Sequence, residues 1–122
     1  MASYARLYAD EDGESHFADV DVKLEPVDFA PPAPPLDLSE PYQAERFVFV
    51  GVAAGWEGEW HPAPQRQFVF CLTGTLEVGA SDGEVRNFSP GDVLLLEDTT
   101  GKGHSARVTS AEYALMAMVQ ME

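Results

Sequence analysis

The sequence predicts an all-β domain, a sandwich, barrel or jelly roll, and three observations carry that expectation. From Gln43 onward, short apolar runs rich in Val and Phe follow one another, with turn signals spaced roughly 8–12 residues apart. No stretch repeats its apolar residues at the helical period. The reversals are marked by Thr73-Gly74, Asp82-Gly83 and Pro90-Gly91, dipeptides whose backbone preferences favour turns. At 122 residues the chain suits one domain with a sizeable core.

Taken in order, Tyr4 to Tyr8 reads as a short strand stopped by Asp10-Glu11-Asp12-Gly13-Glu14. His16 to Leu24 alternates in its second half, with Val20, Val22 and Leu24 on one face and Asp19, Asp21 and Lys23 on the other. That is the pattern of a half-buried strand, and His16 at its start reads as a surface residue. Pro31, Pro32, Pro34 and Pro35 then exclude a helix or a central strand and favour an extended arm. Phe29 and Leu36 flank these prolines and are expected to lay the arm over the domain, since apolar side chains seek burial. A docking peptide for an aromatic groove is the alternative. Residues 1–42 therefore read as N-terminal strands and a proline-rich arm packed on a barrel formed by residues 43–122.

Within the barrel, strands are expected at Ala44–Val52, Trp56–His61, Gln67–Leu72, Thr75–Val78, Glu84–Phe88, Val93–Leu96, His104–Thr109 and Tyr113–Met121. Asp82-Gly83 is a strong hairpin signal because both residues tolerate positive φ. Phe47, Val48, Phe49, Val69, Cys71, Leu76, Leu94 and Leu96 are expected in or beside the core. The run at 67–72 is apolar on both faces, with Val69 and Cys71 on one and Phe68, Phe70 and Leu72 on the other. A small barrel uses one such face, so the other needs cover. A second copy of the chain is the expected cover, giving a homodimer; the N-terminal strand and arm are the alternative.

Charge excludes several functions. Against 7 Lys and Arg stand 21 acids, a net charge of −14. Nucleic-acid binding needs a basic footprint, and anionic membranes would repel this surface. No apolar run approaches the ~20 residues of a membrane-spanning helix. The N-terminus lacks a charged-then-apolar leader pattern, and Cys71 is the single cysteine, so a cytoplasmic protein without an intrachain disulfide is expected.

The chemistry-bearing stretch runs from Trp60 to His104. Gln67 stands seven residues before Gly74, Leu76-Glu77-Val78 follows as a strand, and Ser89-Pro90-Gly91-Asp92 precedes another strand and then His104. In order and spacing these residues resemble the two motifs of the cupin superfamily over about residues 44–120. The resemblance implies a double-stranded β-helix, a jelly-roll barrel, here with an N-terminal extended arm. It further implies that His61, Gln67 and His104 face a ligand pocket. Where cupins carry a histidine pair, His61 is accompanied either by Ala63 or by Glu59, and Gln67 replaces the usual glutamate. Strand alternation places Glu59 and His61 on one face, with a bulge at Pro62-Ala63-Pro64 absorbing the surplus length.

By resemblance, then, Glu59, His61, Gln67 and His104 form the site, and one divalent transition metal (Fe, Mn, Zn or Ni) is its implied cofactor. Two histidines and one carboxylate are a known iron arrangement, and Glu59 or Glu97 would have to supply that carboxylate. The other reading is a metal-free pocket in which the histidines only form hydrogen bonds. Two functions follow: a protein that binds a small organic molecule in the barrel, or a metal-dependent dioxygenase, isomerase or lyase acting on one. Trp56 and Trp60 offer either a stacking platform or packing. Gly101-Lys102-Gly103 lacks the spacing of a phosphate loop and reads as a flexible loop at the barrel mouth.

Overall fold

The computed structural model describes residues 2–122, and all of its regular elements are strands. They are β1 (Ala2–Ala9), β2 (Ser15–Val22), β3 (Glu25–Val27), β4 (Leu36–Leu38), β5 (Arg46–Val52) and β6 (Glu57–His61). β7 (Gln67–Thr73), β8 (Leu76–Ala80), β9 (Val85–Phe88), β10 (Val93–Glu97), β11 (His104–Val108) and β12 (Ala114–Gln120) follow. A six-stranded sheet, ordered β2-β1-β10-β7-β12-β5, faces a four-stranded sheet, β6-β11-β8-β9. The all-β fold expected from the turn spacing, and the jelly-roll barrel implied by the cupin resemblance, are the fold observed.

The core lies between the sheets. Leu7, Val69, Cys71, Leu94, Leu96 and Met116 project from the larger sheet against Leu76, Val78, Phe88 and Val108 from the smaller. Each position obeys the period of two that one buried face imposes. Burial pushes the Cys71 thiol up to about 11, with Asp92 adding to the rise, so the single cysteine is an inert core residue.

Three expectations need correction. Phe47, Val48 and Phe49 are exposed, by 56%, 37% and 68%, because β5 is an edge strand. Phe47 and Phe49 lie on its outer face, and Val48, though on the inner face, sits where the sheet has no further neighbour. The proline-rich segment is not laid flat on the domain. It folds back so that β3 pairs with β4, leaving Phe29 and Leu36 exposed. The loop at Gly101-Lys102-Gly103 is pinned: the Lys102 amide donates to the Gly13 carbonyl at 2.9 Å, and its ammonium lies 2.6 Å from Glu14.

The N-terminal strands complete the large sheet rather than lying over it. β1 pairs in parallel with β10, setting Leu7 beside Leu96, and β2 adds outside it. His16 ties this hairpin down, with Nε2 2.6 Å from Asp10 Oδ2 and Nδ1 2.8 Å from Asp82 Oδ2 in the β8–β9 turn. Hydrogen bonds to Asp10 and then Asp82 raise the His16 pKa. The His16 bond lowers that of Asp10, while the Glu84 amide and then His16 lower that of Asp82. A raised histidine stabilises fully below its unfolded value of 6.5, and the benefit disappears as pH climbs through the folded value. The depressed aspartates contribute above 3.8 and fail as pH falls through their folded values. The bridge should therefore act best between about pH 4 and 6.5. Thermal unfolding across pH 4–9 should show a fall in Tm above neutrality that is shallower in His16→Gln; parallel curves would refute the bridge.

Candidate functional site

His61 ends β6 and His104 begins β11, and the two are direct cross-strand partners. Their ring centroids are 5.0 Å apart. Gly103 makes this approach possible. Its φ is +75°, and a Cβ there would fall 2.2 Å from the carbonyl carbon and oxygen of His61. Gln67 opens β7 at the same end of the barrel, 4% exposed, on the inward parity of Val69 and Cys71.

These three residues line one cavity of about 180 Å³ between the sheets. Its walls are otherwise apolar: Val50 and Val52 of β5, Leu94 and Leu96 of β10, and Met116 and Met118 of β12 are among them. Trp56 joins the lining, 40% exposed, while Trp60 is 54% exposed and lies outside. The stacking-platform reading therefore suits Trp56 alone.

Each polar group has a defined partner behind it. His104 is 5% exposed, and its Nδ1 lies 2.6 Å from Oδ2 of Asp98, which is fully buried. His61 Nδ1 lies 2.8 Å from the Pro62 carbonyl, an acceptor only, so this nitrogen donates. With Nδ1 engaged in both rings, Nε2 is the nitrogen left free at the cavity. Gln67 accepts a 3.1 Å hydrogen bond from Gln120 Nε2, which leaves its amide N–H groups to offer.

The structure brings His61, Gln67 and His104 together and leaves Glu59 out. The reason is a bulge. His104 pairs with His61 but Ala106 pairs with Gly58, so Glu59 and Trp60 stand opposite Ser105 alone. The extra residue falls inside β6, not at Pro62–Pro64, and it reverses the alternation that placed Glu59 beside His61. Trp56 and His61 therefore both reach the cavity, while Glu59 is exposed and absent from its lining. Glu97, the other carboxylate considered, is on the outer face between Arg6 and Arg66, with Arg66 Nε 2.6 Å away. Partial burial raises its pKa, but the bonds from Arg6 and Arg66 outweigh that and hold it below the usual carboxylate range. Asp98 went unrecognised as a site residue. Its only sequence signal was a carboxylate on inward parity two residues past Leu96.

Two imidazoles and a neutral amide fall short of the three His, Cys or carboxylate ligands that hold a catalytic divalent ion. Among the described residues, no group of three or more His, Cys, Asp and Glu is placed to hold one. The donor set thus does not fit a resident transition metal.

The family model for the cupin domain matches residues 48–120, from β5 to the end of β12. The chain belongs to the cupin domain family. Solved structures agree with this at the level of fold. A Cupin 2 conserved barrel domain protein from Salinispora arenicola CNS-205 superposes with a TM-score of 0.53 at 23% identity, covering 84% of this chain and 78% of that one. The cupin domain of Schizosaccharomyces pombe Cnp3 gives 0.52 at 14% identity, over 88% and 73%. The conserved SPY1581 protein of unknown function from Streptococcus pyogenes gives 0.50 at 20% identity, over 69% and 70%. No curated protein matches the sequence. Against the cupin pattern, the cavity keeps two histidines and replaces the anionic ligand between them with Gln67.

Proposed function

We propose that this cupin binds a small, largely apolar organic molecule in its barrel without a metal. The observation that carries the reading is the cavity, apolar on most sides, with His61, Gln67 and His104 converging on it. Ligand pockets characteristically combine such walls with a few placed polar groups. Size sets the ligand class. An apolar cavity of ~150 Å³ accommodates benzene, so about 180 Å³ suits one ring bearing a polar substituent. The polar atom belongs at the histidine end and the ring between Val69, Leu94 and the methionines. A homodimer is the accompanying expectation, supported by the exposed aromatic face of β5, and a cytoplasmic setting is the expectation the single cysteine carries.

Binding is checked by NMR, using the methyl groups of Val50, Val69, Met116 and Met118 as reporters. Single-ring ketones, phenols and carboxamides should shift these methyls saturably, whereas linear alkanols of equal polarity should do so more weakly. Elemental analysis of purified protein should find transition metal far below one per chain. Stoichiometric metal, or methyls indifferent to every ring compound, would sink the reading.

A further inference from the structure

A fully buried carboxylate needs a reason. Asp98 is 0% exposed, and while Oδ2 meets His104, Oδ1 has no hydrogen-bond partner. Holding a carboxylate in the interior with half of its acceptor capacity idle costs stability. An apolar residue behind His104 would fill the space without that cost. What the carboxylate gives instead is control of one imidazole. It fixes the tautomer with Nδ1 protonated and leaves the lone pair on Nε2 at the cavity.

The rest of the lining suits that role. Gln67, its oxygen occupied by Gln120, presents amide N–H donors to the same small space. Donors aimed at an oxygen that gains charge are the usual means of stabilising an enolate. The walls around both groups are apolar, so no other polar side chain of the lining apart from His61 competes for them.

We infer that Asp98 and His104 form a proton-transfer dyad acting on a C–H bond adjacent to the carbonyl of the bound ring, with Gln67 holding the carbonyl oxygen. The inference rests on the binding reading above and adds a reaction to it. The step balances without an oxidant or a second substrate. His104 Nε2 takes the α-proton, the C–H electron pair becomes the C=C bond, and the carbonyl π pair moves onto oxygen, giving an enolate. Return of the proton to the same carbon is exchange; return to the far carbon of a conjugated enolate is isomerisation. His104 touches the reacting carbon and is the catalytic residue, whereas Asp98 acts through it as a positioning residue.

The test uses cyclohexanone, a ring ketone that suits the cavity, with the full chain in deuterated buffer. Proton NMR follows loss of the α-hydrogens while the cavity methyls report binding. Wild type should exchange the α-hydrogens well above the buffer rate. His104→Gln should lower that excess about 100-fold while the methyl shifts persist. Asp98→Asn should lower turnover more than it alters the concentration giving half-maximal rate. Its ¹⁵N spectrum should show the His104 lone pair moved from Nε2 to Nδ1, which a merely structural role would not require. Should either variant fail to fold, Gln67→Met removes the amide donor at similar volume and should slow exchange even at saturating ketone, with more ketone needed to saturate the methyl shifts. Binding without exchange in wild type, or exchange that survives His104→Gln, overturns the dyad and leaves the binding reading standing. Absence of methyl shifts removes both.

Discussion

Gly103→Ala is expected to destabilise the fold by at least ~2 kcal/mol and to drive the two site histidines apart. Two effects add. An L-residue at φ +75° carries roughly 1–2 kcal/mol of backbone strain. The new methyl would also sit 2.2 Å from the His61 carbonyl group, far inside van der Waals contact, and backbone cannot swing aside as a side-chain tip can. Gly83 separates these effects. Its φ is +98°, yet nothing lies within 4 Å of a Cβ placed there, so Gly83→Ala should show the strain alone. Urea titrations should rank Gly103→Ala well below Gly83→Ala in midpoint. Imidazole resonances of both His61 and His104 should move only in the former. Equal midpoints would mean that the close approach of Gly103 to His61 does not exist in solution.

The same residues show what a sequence discloses and what it withholds. Alternation in β7 and β10 placed Val69, Cys71, Leu94 and Leu96 inside, because those strands are central and their inner face has one destination. Asp82-Gly83 and Ser89-Pro90-Gly91-Asp92 were legible as turns because their geometry is local. Gly83 has φ +98°, Gly91 has φ +95°, and Asp92 Oδ2 accepts from the Ser89 amide at 2.8 Å. The bulge in β6 was not legible. One surplus residue is set by how β6 meets β11 across the sheet, and local pattern cannot say where along the strand it falls. That single displacement decides whether Glu59 belongs to the site. Asp98 was missed for a related reason. Its role depends on His104 six residues later, after a loop held by Gly13 and Glu14 from the N-terminal hairpin. Edge position is equally non-local: Phe47 and Phe49 read as core because apolar composition does not reveal which strand lacks a neighbour.

Those exposed phenylalanines motivate the other large expected effect, loss of a dimer. Phe47 and Phe49 pack edge to face with centroids 5.0 Å apart on the outer face of β5, with Tyr113 beside them over Gly51. Tyr4 and Tyr42 cover Phe68 farther along the same sheet, so the N-terminal segment shields only part of this face. A second copy is the simplest cover for the remainder, and a two-fold interface would use the patch twice. Burying one phenylalanine contributes roughly 1.5–3 kcal/mol. Replacing both by lysine removes four rings from such an interface, about 6 kcal/mol at the low end, which raises Kd roughly 10⁴-fold at 1.4 kcal/mol per decade. Light scattering at micromolar concentration should give twice the 13.3 kDa chain mass for wild type and a single chain mass for the double variant. Because these side chains are exposed in the single chain, the variant should keep its core and its cavity methyl spectrum. Charge supplies an independent check. Each copy carries −14, with 11 acids against 2 bases in residues 1–45, so association works against mutual repulsion that added salt screens. The wild-type dimer should tighten between 20 and 200 mM salt; a wild-type chain that stays at 13.3 kDa throughout would leave the face without a partner of its own kind.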